Sequence, residues 1–341
     1  MRPIRSVAGY RALVLGLITL LLLSCLMALG FGAAQMPLSK VFGIVVQQLG
    51  LAEAANWSQG QAQIVWLIRA PRVLLGALVG AGLALVGSAL QAVTRNPLAD
   101  PHLLGVSAGA ALGAVLVVLY LGEFAGVFSL PLAAFVGAMC SMALVLGIAN
   151  RQGRLESERL LLAGVAVSFV FMAVANLLLY TADQHAANSV MFWMLGGLGL
   201  ARWELLWLPA LCVAGGFVLL LSLARALNAL MSGEQTAVSL GFNTRQVRWQ
   251  VFLGTSLLTG VLVALSGAIG FVGLMLPHMA RRLVGAEHRR LLPVSALLGA
   301  LFMVWVDVAA RTLIAPQDLP IGIATAAIGG VFFIVLLRRK P

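Results

Sequence analysis

Few side chains in this 341-residue chain have the types and spacing that chemistry would need. No Ser, His and Asp set and no pair of carboxylates is arranged as in a catalytic site. A phosphate-binding G-x-x-x-x-G-K-[ST] loop requires a lysine, and neither Lys40 nor Lys340 stands in that context. We therefore expect no catalytic residue, no metal site and no ATPase activity in the chain itself.

Asp307 is the clearest acidic residue within an apolar segment. It precedes Arg311 by four residues, which places both side chains on one helix face. An ion pair inside the membrane is the simpler interpretation, and a proton relay is the alternative. Cys25, Cys140 and Cys212 lie within predicted spans, lack paired or metal-ligand spacing and are interpreted as small residues buried in the membrane.

The elements that must position these residues are membrane-spanning helices. The chain is 61% hydrophobic and only 10% charged, and apolar stretches of about 20 residues recur along it. The predicted fold class is all-α, a polytopic membrane protein of about ten spans, because strand-like alternation is missing. A signal peptide is the alternative for the first span. The predicted spans are 12–33, 72–93, 103–121, 129–149, 160–181, 203–224, 248–268, 270–283 (the least certain), 291–314 and 320–337.

The net charge of +11 comes from short basic clusters between spans, so it reports membrane orientation and not nucleic-acid binding. With both termini in the cytoplasm, five basic residues fall outside: Lys40, Arg69, Arg72, Arg202 and Arg311. Those predicted inside are Arg2, Arg5, Arg11, Arg95, Arg151, Arg154, Arg159, Arg225, Arg245, Arg248, Arg281, Arg282, Arg289, Arg290, Arg338, Arg339 and Lys340.

One segment recurs at a constant offset of 180 residues, without gaps. Gly80, Ala84, Leu85, Gly87, Pro97, Leu103 and Gly105 match Gly260, Ala264, Leu265, Gly267, Pro277, Leu283 and Gly285. Five spans separate the copies, so the copies run in opposite directions, as in the inverted repeats of transporters. We expect one transmembrane permease domain, 1–341, with repeat halves at about 64–200 and 244–341. Glycines at four-residue spacing, Gly76, Gly80, Gly105, Gly109 and Gly113, predict close helix packing.

The longest predicted cytoplasmic loop, 225–248, contains a short helix between Ser232 and Gly241. Such a helix outside the membrane could dock into a partner's groove.

Motifs along nearly the whole chain resemble those of the permeases of bacterial ABC importers for iron-siderophore, haem or cobalamin, the FecCD/BtuC type. They read R-A-P-R at 69–72, N-P-L-A-D-P-H-L-L-G-V-S-A-G-A at 96–110, S-E-R-L-L-L-A-G-V-A at 157–166, G-E-Q-T-A-V-S-L-G at 233–241, G-A-I-G-F-V-G-L-M-L-P-H at 267–278 and L-P-I-G at 319–322.

The resemblance implies roles for particular residues. It implies that the loop at Gly233, Glu234, Ala237, Leu240 and Gly241 couples to an ATPase. It implies two cytoplasmic gates: Asn96, Pro97, Leu98, Ala99, Asp100 and Pro101, then Glu156, Ser157, Glu158, Arg159, Leu160 and Leu161. His278 could be a haem or metal ligand, but its motif resembles one in permeases with different cargo, which favours a structural role.

Arg69, Arg72 and Arg311 resemble arginine pockets that receive acidic residues of a binding protein. Anchoring to lipid headgroups is the alternative interpretation. Met191, Phe192, Trp193 and Met194 are interpreted as interface anchors and not as cargo contacts.

The implied assembly is a permease homodimer, or a pair with a close paralogue, with two cytoplasmic ATPase subunits and one periplasmic substrate-binding protein. It lies in the bacterial inner membrane, and no nucleic acid takes part. The chain binds no cofactor, and ATP and Mg²⁺ belong to the ATPase. The expected cargo is a ferric siderophore or haem. Cobalamin is the alternative, and an ion-coupled secondary carrier is the competitor from another class.

Overall fold

The computed structural model describes residues 4, 6–32, 36–51, 57–151, 154–155 and 157–338. Within them the chain is almost entirely helical, with one short antiparallel pair of strands, β1 (Asn150–Arg151) and β2 (Arg154–Leu155). The helices are α1 (Val7–Ala28), α2 (Leu38–Gln48), α3 (Gln59–Gln63), α4 (Ala70–Thr94), α5 (Val106–Leu116), α6 (Ser129–Ala149), α7 (Ser157–Tyr180), α8 (Gln184–Met194), α9 (Trp203–Ser222), α10 (Ala224–Met231), α11 (Glu234–Ser239), α12 (Thr244–Ser266), α13 (Val272–Val284), α14 (His288–Ala310) and α15 (Ile321–Arg338).

Ten of these helices correspond to the ten predicted spans. In the described part of the chain seven are long and apolar enough to cross a membrane: α1, the continuous helix 59–94, and α6, α7, α9, α12 and α14. Two shorter apolar helices, 106–121 and 321–336, and the 13-residue α13 correspond to the other three. The all-α polytopic fold is confirmed, and the crossing of the membrane by α13 stays a prediction.

The structure differs from the prediction most at the start of the second span and in the loop after the sixth. The second span begins at Gln59 and not at 72, because a capping box at Ser58 starts a helix there. This helix continues through a π-helical segment, Ile64–Arg69, into α4. The sixth span ends at Ser222, and the predicted loop after it contains a second helix, α10, besides α11. A buried amphipathic helix of eight residues is too short to be recognised by hydropathy.

The helix contacts of the first half of the chain recur in the second half when equivalent helices are exchanged. When α4, α5, α6 and α7 are exchanged with α12, α13, α14 and α15, the packing of α4 on α14 becomes the packing of α12 on α6. Likewise, α5 on α6 becomes α13 on α14, α6 on α7 becomes α14 on α15, and α9 packs on both α4 and α12. This pattern is that of an inverted repeat.

The gap-free match at offset 180 is correct only within the first helix of each copy. Gly80 and Gly260 occupy equivalent places, because Gly80 faces α14 and Gly260 faces α6. The helices α14 and α6 are themselves equivalent under the exchange described above. Pro97, however, lies in the connection after α4, whereas Pro277 lies inside α13. The reason is loop length: residues 95–105 connect α4 to α5, and only residues 267–271 connect α12 to α13.

Close backbone contacts hold the centre of the bundle together, as the glycine spacing predicts. A β-carbon at Gly80 would overlap the backbone of Gly299 on α14, and one at Gly109 would overlap Gly137 on α6. Gly113 likewise faces the backbone of Ala133. Main chains that touch directly gain dispersion contacts that larger residues would prevent, which is how helices associate in lipid.

Candidate functional site

The ends of α4 and α14 meet in a buried ionic cluster. Asp307 on α14 is fully buried and accepts a hydrogen bond from Arg72 Nε at 2.8 Å. Its other oxygen lies 3.2 Å from Arg311 Nε, an ion pair without hydrogen-bond geometry. Arg72 Nη1 reaches a second carboxylate, Asp318 Oδ2, at 2.5 Å. The predicted Asp307 and Arg311 pair is therefore confirmed, and Arg72 extends it to a second helix.

Arginines of the same cluster cap the C-terminal end of α1. Arg69 Nη1 donates to the carbonyl of Leu29 at 2.8 Å, and Arg311 Nη2 donates to the carbonyl of Ala28 at 2.8 Å. The last carbonyls of a helix have no partner within it, and cationic side chains are suited to that end. Arg69 and Arg311 are only 6% and 5% exposed.

The structure thus brings the three predicted docking arginines together, already engaged with groups of this chain. Anchoring to headgroups needs exposed guanidinium groups, so the burial of Arg69 and Arg311 argues against that alternative. Docking of acidic residues from a binding protein stays a prediction. It requires those residues to displace the carboxylates and carbonyls that the three arginines contact in this structure. Sequence reasoning missed Asp318, which has no periodic relation to Arg72.

The first predicted gate begins where Arg95 ends α4 in a left-handed conformation (φ 51°). Asn96 Oδ1 then accepts from the amide of Leu98, and Asp100 Oδ1 accepts from the amide of His102. These two side chains replace helical hydrogen bonds and set the path to a 3₁₀ turn at Pro101–Leu104.

His102 joins this loop to the loop after α12. Its Nε2 lies 2.7 Å from the carbonyl oxygen of Ile269, and its Nδ1 lies 2.7 Å from Ser107 Oγ. Because a carbonyl only accepts, we assign the proton to Nε2 and let Nδ1 accept from Ser107. The motif contained His102, but its spacing gave no sign of this contact.

Asp100 is buried beside His102. Its Oδ2 has no hydrogen-bond partner among the described residues and lies near Gly273 of α13. Burial raises the pKa of the Asp100 carboxyl, and the nearby His102 lowers it in part.

The second predicted gate lies beside the first. Glu156 is outside the described residues, and α7 begins at Ser157. Leu160 is buried, whereas Glu158 and Arg159 are exposed. The 3₁₀ turn of the first gate packs on α7, where Gly105 faces the carbonyl of Gly164. The two segments are neighbours, and their gating role stays a prediction.

The predicted coupling segment forms α11, bounded by Gly233 (φ 126°) and Gly241 (φ 84°), two positive φ values that favour glycine. Glu234 accepts from Arg248 at 3.1 Å and from Thr244 at 3.3 Å, which fixes α11 to α12. Ala237 is fully buried.

The α11 segment also exposes two apolar side chains among exposed polar ones. Val238 and Leu240 are 58% and 63% exposed, although the segment itself is held in place. A fixed helix with two exposed apolar side chains is suited to insertion into a partner's groove.

His278 packs edge-on against Phe332 at 5.9 Å between ring centroids. No group of three or more His, Cys, Asp or Glu side chains that could hold a metal occurs among the residues searched, which are those described above. Met191 and Phe192 are exposed on α8, and their interpretation as anchors stays a prediction.

Comparison with known proteins places these features in context. The FecCD transport family matches residues 20–339. The hemin transport system permease protein HmuU of Yersinia pestis is 40% identical over 280 residues, covering 81% of this chain and 84% of that protein. The vitamin B12 import system permease protein BtuC of Vibrio cholerae is 38% identical over 302 residues, covering 88% and 90%. A solved structure described as an inward-facing conformation of a metal-chelate type ABC transporter aligns with a TM-score of 0.84 at 33% identity, covering 97% of this chain and all of that one.

Proposed function

The chain belongs to the FecCD transport family as a multi-pass permease subunit of an ABC importer, and we propose that it carries an iron chelate, a ferric siderophore or haem. The relatives that support this cargo are the hemin permease and the metal-chelate type transporter. The cobalamin permease favours the second candidate, cobalamin. We further propose a homodimer, or a pair with a close paralogue, in the bacterial inner membrane with both termini in the cytoplasm.

The observation that carries the proposed mechanism is the α11 segment, 233–241, which is fixed by Glu234 and Arg248 and exposes Leu240. In the proposed assembly two ATPase subunits bind this segment on the cytoplasmic side. ATP binding moves α11, and the inverted halves open the route alternately to each side. The gates at 96–101 and 156–161 close the cytoplasmic end.

On the other side, a periplasmic substrate-binding protein delivers the cargo through acidic residues that pair with Arg69, Arg72 and Arg311. ATP and Mg²⁺ bind to the ATPase, and the cargo passes without covalent change. An ion-coupled carrier is disfavoured by the paired state of Asp307, which leaves no free buried carboxylate in the span for a proton relay.

The test is reconstitution in liposomes with a cognate ATPase and a cognate substrate-binding protein. We expect uptake of one ferric siderophore or of haem that requires ATP and all three components. Uptake of cobalamin alone would transfer the assignment to the second candidate. Accumulation by the purified chain alone, driven by a proton or sodium gradient, would refute the importer assignment.

A further inference from the structure

The eight-residue helix α10 lies between the transmembrane core and α11. It packs on α4, α12 and α14, and its apolar residues Ala224, Leu227 and Leu230 are buried. Only Ser232 and Gly233 separate α10 from α11. A displacement of α11 is therefore applied to α10 over two residues of chain, and α10 has no room to absorb it by repacking.

One polar side chain of α10 reaches the start of α14. Asn228 Oδ1 accepts from the backbone N–H of His288 at 3.0 Å and lies 2.6 Å from His288 Nδ1. An amide oxygen only accepts, so Nδ1 carries the proton and donates. His288, the first residue of α14, is only 2% exposed.

These contacts cap α14 from another helix. Glu287, the residue before α14, pairs with the Arg290 side chain at 3.6 Å and makes no capping bond to the backbone of the first turn. Asn228 therefore supplies, from another helix, the acceptor that the residue before a helix usually supplies. The acceptor thus moves with α10 and not with α14's own chain. This arrangement makes the position of the α14 terminus depend on α10.

The far end of α14 carries the ionic cluster. His288 and Asp307 lie 19 residues apart on α14, about 28 Å at 1.5 Å per residue, and Pro293 lies between them within the helix. Asp307 and Arg311 contact Arg72 and the end of α1 there. α14 can transmit displacement along its axis because its hydrogen bonds resist stretching, and Pro293 removes only the one bond that its missing N–H would have donated.

We propose that Asn228 and His288 are positioning residues that link the α10 and α11 unit to α14, so that motion at the ATPase contact reaches the arginine cluster. This rests on the proposed function, since it assigns the route between the proposed ATPase and binding-protein contacts. It is separate from the contact of Glu234 with Arg248, which links α11 to α12.

The test measures uptake and ATP hydrolysis together in the reconstituted importer, using three graded variants. Asn228→Ala removes both acceptor contacts, His288→Ala removes only the side-chain contact, and Asn228→Asp retains an acceptor for both. We expect Asn228→Ala to keep ATP hydrolysis within twofold of wild type while uptake per ATP falls at least fivefold. For His288→Ala we expect uptake per ATP between that of wild type and that of Asn228→Ala. For Asn228→Asp we expect uptake per ATP within twofold of wild type.

Val115→Ala provides the matched control for stability, because Val115 is fully buried in a separate apolar cluster with Ala175 and Val190. It should lower the melting temperature without changing uptake per ATP. If Asn228→Ala fails to assemble, the difference in uptake per ATP between His288→Ala and Asn228→Asp tests the inference.

Equal loss of uptake and ATP hydrolysis in the Asn228→Ala and His288→Ala variants would overturn the inference, as would unchanged uptake per ATP in both. A fall in uptake per ATP in Asn228→Asp as large as that in Asn228→Ala would also overturn it. A wild-type complex without ATP-dependent uptake would instead refute the proposed function.

Discussion

Arg72 and Asp307 are 235 residues apart in the sequence, and their side chains join α4 to α14 through a contact of 2.8 Å. Asp307 is fully buried and serves two guanidinium groups, whereas the second partner of Arg72, Asp318, is 53% exposed. The cluster therefore contains one interior carboxylate and one at the surface, and the two should behave differently when removed.

Asp307→Asn should destabilise the protein strongly. It leaves Arg311 buried without a compensating charge and Arg72 with Asp318 alone, and breaking a buried ion pair typically costs about 3–5 kcal/mol of unfolding free energy. Thermal unfolding in detergent, followed by tryptophan fluorescence, measures the effect. Asp318→Asn is the control and should cost about 0–1 kcal/mol, because water screens an exposed pair. Equal losses in the two variants would contradict the buried cluster.

Asp318→Asn should also tighten binding of the substrate-binding protein. Asp318 occupies Arg72, so an acidic residue of that protein must displace it. Removing this competitor, a pair worth roughly 0.2–1 kcal/mol, should lower Kd by a factor of about 1.4–5. Glu204→Gln, which removes another exposed acid from a helix that contacts α4, controls for a general change in charge. Weaker binding by Asp318→Asn would mean that Asp318 itself contacts the partner.

Leu240→Glu should uncouple the permease from its ATPase. Desolvating a leucine contributes roughly 1.5–3 kcal/mol, so its loss should weaken binding of the ATPase by tenfold or more. Co-purification and uptake measure the result. Gln246→Glu adds the same charge at the exposed start of α12, where the helix dipole favours it, and should leave binding intact. Normal binding by Leu240→Glu would move the contact elsewhere.

Gly80→Ala should disturb the crossing of α4 and α14, because the added methyl group would overlap the backbone of Gly299. Overpacking of this kind costs about 1–3 kcal/mol. Gly215→Ala on α9 is the matched control, since nothing lies within 4 Å of a β-carbon there. The melting temperatures of the two variants should therefore differ clearly. If Gly80→Ala were as stable as Gly215→Ala, the close backbone contact would be wrong.

Asp100→Asn should change how stability depends on pH. Burial raises the folded pKa of Asp100 above the unfolded value of about 3.9, so stability falls as pH rises from there through the folded pKa. An asparagine keeps the acceptor for the amide of His102 and carries no charge. At pH 7 the variant should therefore be at least as stable as wild type, with the advantage vanishing near pH 4. Lower stability at pH 7 would show that the charged form is favoured.

Periodic and local features were predictable from the sequence. Hydropathy located ten helices because span length is set by the bilayer, and the spacing of Asp307 and Arg311 identified a pair on one helix face. The glycine spacing likewise predicted the contacts at Gly80 and Gly109, since four residues bring small side chains onto one face.

Contacts between distant segments were not predictable. Arg72 finds Asp307 and Asp318 only after α4 and α14 pack, and no local pattern marks Asn228 as a cap for α14. The repeat was recognisable in α4 and α12, but the unequal connections after them hid the true correspondence further on.

The contact of Gly80 with Gly299 has a mechanical consequence. Gly299 stands near the middle of α14, and no side chain separates the two main chains there, so changing rotamers cannot adjust their spacing. The crossing acts as a pivot: α14 can tilt about it but cannot move closer to α4. Tilting would carry the His288 end and the Asp307 end in opposite directions, so an inward push at one membrane face becomes an outward swing at the other.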